Sequence, residues 1–132
     1  RQMCIRDSLA PRQDAHDMGD ANPRETFGYV ARELGKRGVA FICTREKEGE
    51  DSLTPFIKEQ FGGLVIANER FTKEQANAWL AAGKADAVAF GIPFIANPDL
   101  VERLAQDAPL NEPRPELFYA QGPVGYIDYP RL

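Results

Sequence analysis

Three short, continuous apolar runs constrain this chain most: VAFIC at 39–43, LVIA at 64–67 and AVAF at 87–90. Runs of this length have no polar alternation, so they suit strands buried on both faces, as in a parallel sheet. The intervals between them leave room for one helix each. Asn22 followed by Pro23 is a helix start, and Phe27, Val30, Ala31 and Leu34 then share one apolar face before Gly35 and Gly38 close the helix. A second helix is predicted over 52–60, punctuated by Gly62 and Gly63. Thr72 with Gln75 forms a capping-box pattern that opens a third, with Ala76, Trp79, Leu80 and Gly83 on one side. Asn97 and Pro98 repeat the cap-then-proline signal for a helix through Leu104. The alternation of helix and strand is that of βαβ units, the building blocks of (β/α) barrels and of doubly wound sheets alike.

Two stretches stand outside this rhythm. The first eight residues, RQMCIRDS, have no periodicity and no initiating methionine. They read as an adaptor-like, non-native segment and are set aside from the fold, with the natural N-terminus expected to lie elsewhere. The domain is therefore placed at 9–132. Residues 11–19 read as a polar loop, and 108–132, rich in proline and aromatics, as an irregular C-terminal tail.

The 132 residues suit one domain, and 43% hydrophobic content is ordinary for a globular protein. A net charge of -4 gives no general attraction to nucleic acid or to anionic membrane. No apolar stretch approaches the roughly 20 residues of a membrane span. Two cysteines, Cys4 and Cys43, make neither a disulfide framework nor a CxxC metal pair, and a reducing cytoplasm is the expectation.

Parallel α/β folds bind ligands at the C-terminal ends of their strands. Three such ends are visible: Thr44, Arg45 and Glu46; Asn68, Glu69 and Arg70; Gly91, Ile92 and Pro93. Gly91 follows a strand directly, where the missing Cβ lets backbone N–H groups approach a ligand, and a helical turn after it would aim further N–H groups at an anion. On spacing alone, a plain tight turn explains Gly91 equally simply. The carboxylates Glu46, Glu48, Glu50 and Asp51 read as a solvated loop, His16 as a surface histidine, and Cys43 as a small buried hydrophobe.

The wording of several segments resembles the old yellow enzyme family of FMN-dependent NAD(P)H ene-reductases. ADAVAFGIPFIANPDLVERL is similar to the last strand and helix of that family, GGLVIANERFT to its seventh strand and phosphate loop, and APLNEPRPELFYAQGPVGYIDYPRL to its C-terminal signature. LAPRQDAHDMGDANPRETFGYVARELGKRGVAFICTRE resembles the fifth strand end, its helix and the sixth strand. The resemblance implies the C-terminal half of a (β/α)8 TIM barrel, contributing three to four βα units.

It also implies a site. Asn68, Glu69, Arg70, Gly91 and Ile92 would bind the FMN phosphate through main-chain N–H groups, Phe118 would pack by the flavin ring, and Tyr119 would border the pocket of an α,β-unsaturated carbonyl substrate. NAD(P)H would be the reductant. For Phe118 and Tyr119, ordinary packing of the tail is the competing reading. Two departures follow. Ile92 stands where the family has a phosphate-binding arginine, and Ser8 where it has an arginine on the flavin. Arg70 could supply the charge absent at 92, against a simpler reading as a solvated surface arginine, and Glu69 would have to turn away from a phosphate.

The family's carbonyl-binding pair and proton-donating tyrosine fall on earlier strands, so no catalytic residue and no metal site is assigned and little turnover is expected. A typical barrel needs ~250 residues, so the chain is expected to close about half of one and to self-associate through open sheet edges. Two further readings remain at this point: a non-catalytic flavin- or phosphate-binding half-barrel, and an α/β interaction domain unrelated to flavin.

Overall fold

The computed structural model describes residues 6–13 and 19–132. The chain divides into two compact units, Arg1–Ala89 and Phe90–Leu132. The first holds a four-stranded, all-parallel sheet in sequential order, β1 (Arg6–Leu9), β2 (Phe41–Arg45), β3 (Leu64–Asn68) and β4 (Ala87–Ala89). The connecting helices are α1 (Pro23–Lys36), α2 (Thr54–Phe61) and α3 (Lys73–Ala81).

Residues 6–8, set aside on sequence grounds, form a regular ladder with β2: Arg6 pairs with Phe41 and Ser8 with Cys43. Parallel pairing uses main-chain groups, which every residue except proline carries in full, so a segment without a hydrophobic pattern can still occupy an edge. β2 also begins and ends two residues later than the apolar run suggests. Its register against β3, from Phe41 opposite Leu64 to Arg45 opposite Asn68, carries the strand past Cys43 to a polar end. Cys43 is thus a half-buried mid-strand residue rather than a buried strand end.

Alternation along the strands explains the core. Ile42 and Thr44 of β2, and Val65 and Ala67 of β3, are buried. Ile42 and Val65 cluster with Leu9, Ala31, Val39, Leu53, Ile57 and Phe61, and the apolar stripe of α1 (Phe27, Val30, Leu34) packs against that cluster. Gly35 lets α1 approach α2 closely: a Cβ there would stand 2.5 Å from the carbonyl oxygen of Phe61. In α3 the capping box of Thr72 and Gln75 forms as expected, and Ala76 and Trp79 are buried. Leu80 is not on that face and is exposed. The Trp79 ring packs edge-on against Phe71 at 4.9 Å between centroids.

The second unit contains α4 (Ile92–Ala96), α5 (Leu100–Gln106) and a 3-10 turn at Pro115–Leu117. Asp99, not Asn97, is the N-cap of α5. Asn97 is buried instead, donating to the Pro93 carbonyl and accepting from the Asn111 N–H at 2.7 Å. A buried ion pair joins Arg103 to Asp99 at 2.8 Å. Arg103 also donates to the carbonyls of Pro109 and Pro130, and Asp99 accepts from the Leu132 N–H. The tail is irregular in its dihedral angles, as expected, but these side chains pin it at defined points.

Candidate functional site

The ligand-side end of β2 departs from its sequence reading. Glu46 is not part of a solvated loop: it is buried, and its carboxylate accepts from the Ser52 hydroxyl, the Leu53 and Thr54 N–H groups and the Thr54 hydroxyl. Arg12, from the segment after β1, completes the set with an ion pair at 2.7 Å. The first N–H groups of α2 have no helical acceptor. The N-cap residue, Leu53, has no side-chain oxygen to offer, so Glu46 caps the helix from outside it. The charge run hid this, because loop carboxylates are usually solvated and the partners lie six to eight residues downstream or, in Arg12, far upstream. Glu48, Glu50 and Asp51 remain exposed as expected, although Asp51 also meets Arg12.

At the end of β3 the chain turns sharply. Glu69 (φ 108) and Arg70 (φ 58) both lie at positive φ, a region that costs residues with a Cβ on the order of 1–3 kcal/mol each. The turn is held on both sides. The Asn68 side chain donates to the Ala89 carbonyl at 2.7 Å, tying the ends of β3 and β4 together. The Glu46 N–H donates to the Asn68 carbonyl at 3.1 Å, tying β3 to β2. The Glu69 carboxylate lies beside Arg45, with Arg45 Nε at 2.8 Å, while Arg70 Nε approaches its other oxygen at 3.6 Å. Glu69 is therefore engaged sideways by Arg45 of the neighbouring strand end.

In the second unit, Gly91 is the N-cap of α4 and Ile92 its first residue. The N–H groups of Phe94 and Ile95 are taken by the Gly91 carbonyl, and Pro93 has none, so the donors left at this turn are the amides of Gly91 and Ile92. A Cβ on Gly91 would meet nothing within 4 Å among the described residues, so the protein's own packing does not demand glycine there. Ile92 is half exposed and brings no charge. Phe118 caps the 3-10 turn and is half-buried. Tyr119 is 98% exposed, so packing of the tail does not account for it. Ser8 lies in β1, and His16 and Cys4 fall outside the described residues. No group of three metal-ligating side chains occurs among the described residues.

The family model described as the NADH:flavin oxidoreductase / NADH oxidase family matches residues 30–111. The chain belongs to that family. It is 34% identical to a probable flavin mononucleotide-dependent alkene reductase of Leishmania infantum, over 92% of this chain and 34% of that protein. It is 39% identical to 12-oxophytodienoate reductase 2 of Arabidopsis thaliana, over 94% of this chain and 36% of that protein. Among solved structures it is similar to morphinone reductase in complex with tetrahydroNAD (TM-score 0.89, 40% identity, 96% of this chain and 35% of that one). It is also similar to an old yellow enzyme homologue from Zymomonas mobilis (TM-score 0.91, 36% identity, 96% and 38%). The fold is thus part of a (β/α)8 TIM barrel of the old yellow enzyme kind. The chain spans about a third of the length of the relatives it matches.

Proposed function

We propose that this chain is the flavin-binding part of an NAD(P)H-dependent oxidoreductase that reduces activated alkenes, and that it corresponds to the C-terminal part of such an enzyme. The observation that carries the reading is the open turn at Gly91: a glycine with no steric reason in its own packing, presenting its own amide and that of Ile92 at the start of α4. A ligand phosphate fits that arrangement, because a glycine without a Cβ lets the backbone N–H groups beside it approach an anion closely. The names of the relatives, an FMN-dependent alkene reductase among them, support the same cofactor.

Bound FMN would accept hydride from NAD(P)H and pass it to the β-carbon of an α,β-unsaturated carbonyl. The chain's own contribution is positional. Asn68, Glu69, Arg70, Gly91 and Ile92 anchor the phosphate by main chain, Phe118 lies by the flavin ring, and Tyr119 offers its ring and hydroxyl to substrate. Groups that polarise the carbonyl belong to strands earlier than those in this chain, so turnover by the chain alone is expected to be negligible.

Titration of the chain with FMN, followed by quenching of flavin fluorescence, tests the reading. Gly91→Ala should leave folding stability within about 0.5 kcal/mol of the parent and weaken FMN binding. No quenching at any concentration of the parent chain, or an alanine variant that binds equally well, would count against it.

A further inference from the structure

Residues 114–129 form an excursion whose ends are fastened and whose tip stands in the open. Arg114 is the N-cap of the 3-10 turn at Pro115–Leu117, and that turn delivers Phe118 and Tyr119 directly after it. The Arg114 guanidinium pairs with Asp128 at 2.6 Å and lies 4.4 Å from the centre of the Tyr129 ring. The Arg114 N–H donates to the Tyr129 hydroxyl at 2.9 Å. Asp128 uses the same oxygen, Oδ1, to accept from the Gly125 N–H at 2.7 Å. Gly125 stands at φ 78, and a Cβ there would lie 2.5 Å from the Cβ of Leu117, so the two limbs touch where only glycine fits. Outside the excursion, the buried Arg103 donates to the carbonyls of Pro109 and Pro130, which precede and follow it. The tip makes little use of its own packing: Tyr119, Val124, Tyr126 and Ile127 are all exposed.

We propose that Arg114 and Asp128 are positioning residues: their clamp sets the stance of Phe118 and Tyr119, the two aromatic side chains assigned above to flavin and substrate. The inference deepens that reading and rests on it only for what the two rings face. The route from clamp to rings is short. The clamp fixes the residue that opens the 3-10 turn. The Phe118 N–H then donates to the Pro115 carbonyl and the Ala120 N–H to the Leu117 carbonyl, so Tyr119 is carried between two bonded amides. A swing of the clamp therefore moves both rings together. Magnitude separates this role from a purely structural one. The side chains of Arg114 and Asp128 are 35% and 38% exposed, and ion pairs at such exposure add little to global stability. What the clamp supplies is local: it holds a glycine-containing segment in one closed shape, so that less conformational freedom is lost when a flat ring docks.

The experiment compares the full parent chain with Asp128→Ala and with Arg114→Gln, which breaks the same contact from the other side. Asp128→Asn, which keeps an oxygen for the Gly125 N–H, is the conservative variant. Thermal melts of all four should coincide. Amide exchange at Gly125 should quicken roughly tenfold in Asp128→Ala, the scale of one hydrogen bond to a charged group. The ring resonances of Phe118 and Tyr119 should shift, with Asp128→Asn between parent and alanine. Titrations with FMN and with riboflavin, which has the same ring and no phosphate, should lose the same factor of affinity, and the visible band of bound flavin should move toward that of free flavin. Phe118 and Tyr119 resonances that stay in place in both Asp128→Ala and Arg114→Gln overturn the proposal. So does a melting point that falls in step with the local changes, a loss confined to FMN, or unchanged affinity for two flavins that the parent binds. If the parent binds neither flavin, the flavin reading falls, and shifted rings at an unchanged melting point still establish the clamp.

Discussion

Glu46 shows how much one side chain organises here. A carboxylate buried without partners would be prohibitively costly, and this one is tolerated because Arg12, two hydroxyls and two backbone N–H groups surround it. Thr54 extends the set by donating to Glu46 while meeting the Thr44 hydroxyl at 2.8 Å. Removing the carboxylate leaves the start of α2 uncapped and strands Arg12 beside it. Glu46→Ala is therefore expected to cost about 3–5 kcal/mol, the range for breaking a buried pair from one side. Urea denaturation of parent and variant measures this, and a loss below about 1 kcal/mol would mean that water replaces the carboxylate. The identity of Glu46 was plain in the sequence, but its role was not, because its neighbours Glu48, Glu50 and Asp51 make it look like one more solvated charge.

At the scale of elements, the parallel strands were legible as continuous apolar runs, although only alternate residues, Ile42 and Thr44 of β2 and Val65 and Ala67 of β3, are buried, so the expectation of burial on both faces is not met in this chain. The ends of elements were less legible. β2 runs on to Arg45 because β3 supplies partners as far as Asn68, a fact of register and not of local composition. The cap-then-proline signal at Asn97 is misleading for a similar reason: the amide side chain bonds to Pro93 and Asn111 and is withdrawn from the helix start. The contact of α1 with α2 offers a test of packing. Gly35→Ala must push the Phe61 backbone away, so about 1–3 kcal/mol of destabilisation is expected, as for an overpacked core. Thermal unfolding of the variant measures it, and an unchanged or raised midpoint would show that α1 can shift without loss.

At the scale of the whole molecule, two properties follow. The sheet of the first unit has β1 and β4 at its ends, each with one strand neighbour among the described residues. Open parallel edges invite pairing with another chain, so the isolated chain should self-associate as its concentration rises. Sedimentation velocity across a range of concentrations checks this, and a single monomeric species throughout would refute it.

The second property is acid sensitivity. Asp86 is held below the ordinary carboxylate range by Lys58 and then by the Val65 N–H. Asp128 is lowered chiefly by Arg114, and Asp99 by Arg103. A carboxylate with a lowered folded pKa contributes stability above its unfolded value, and that contribution is lost as pH falls through the folded one. Stability should hold near neutrality and fall from about pH 4 downward, with Asp86→Asn showing a shallower fall over that window. Acid titration followed by circular dichroism decides it, superimposable curves being the contrary result.

Local pattern alone determined that this chain is a parallel α/β protein, and its motifs were enough to place it in a flavin oxidoreductase family. Both depend on neighbours in sequence: the length of apolar runs, the spacing of helix faces, the wording of short segments. Tertiary structure decided which charges are buried and which meet. Arg12 reaches Glu46, Arg45 reaches Glu69 and Arg103 reaches Pro130 across long stretches of chain. The first two pairings arise when β1, β2 and β3 align their ends in register, and the third when the tail folds back on α5 in the second unit.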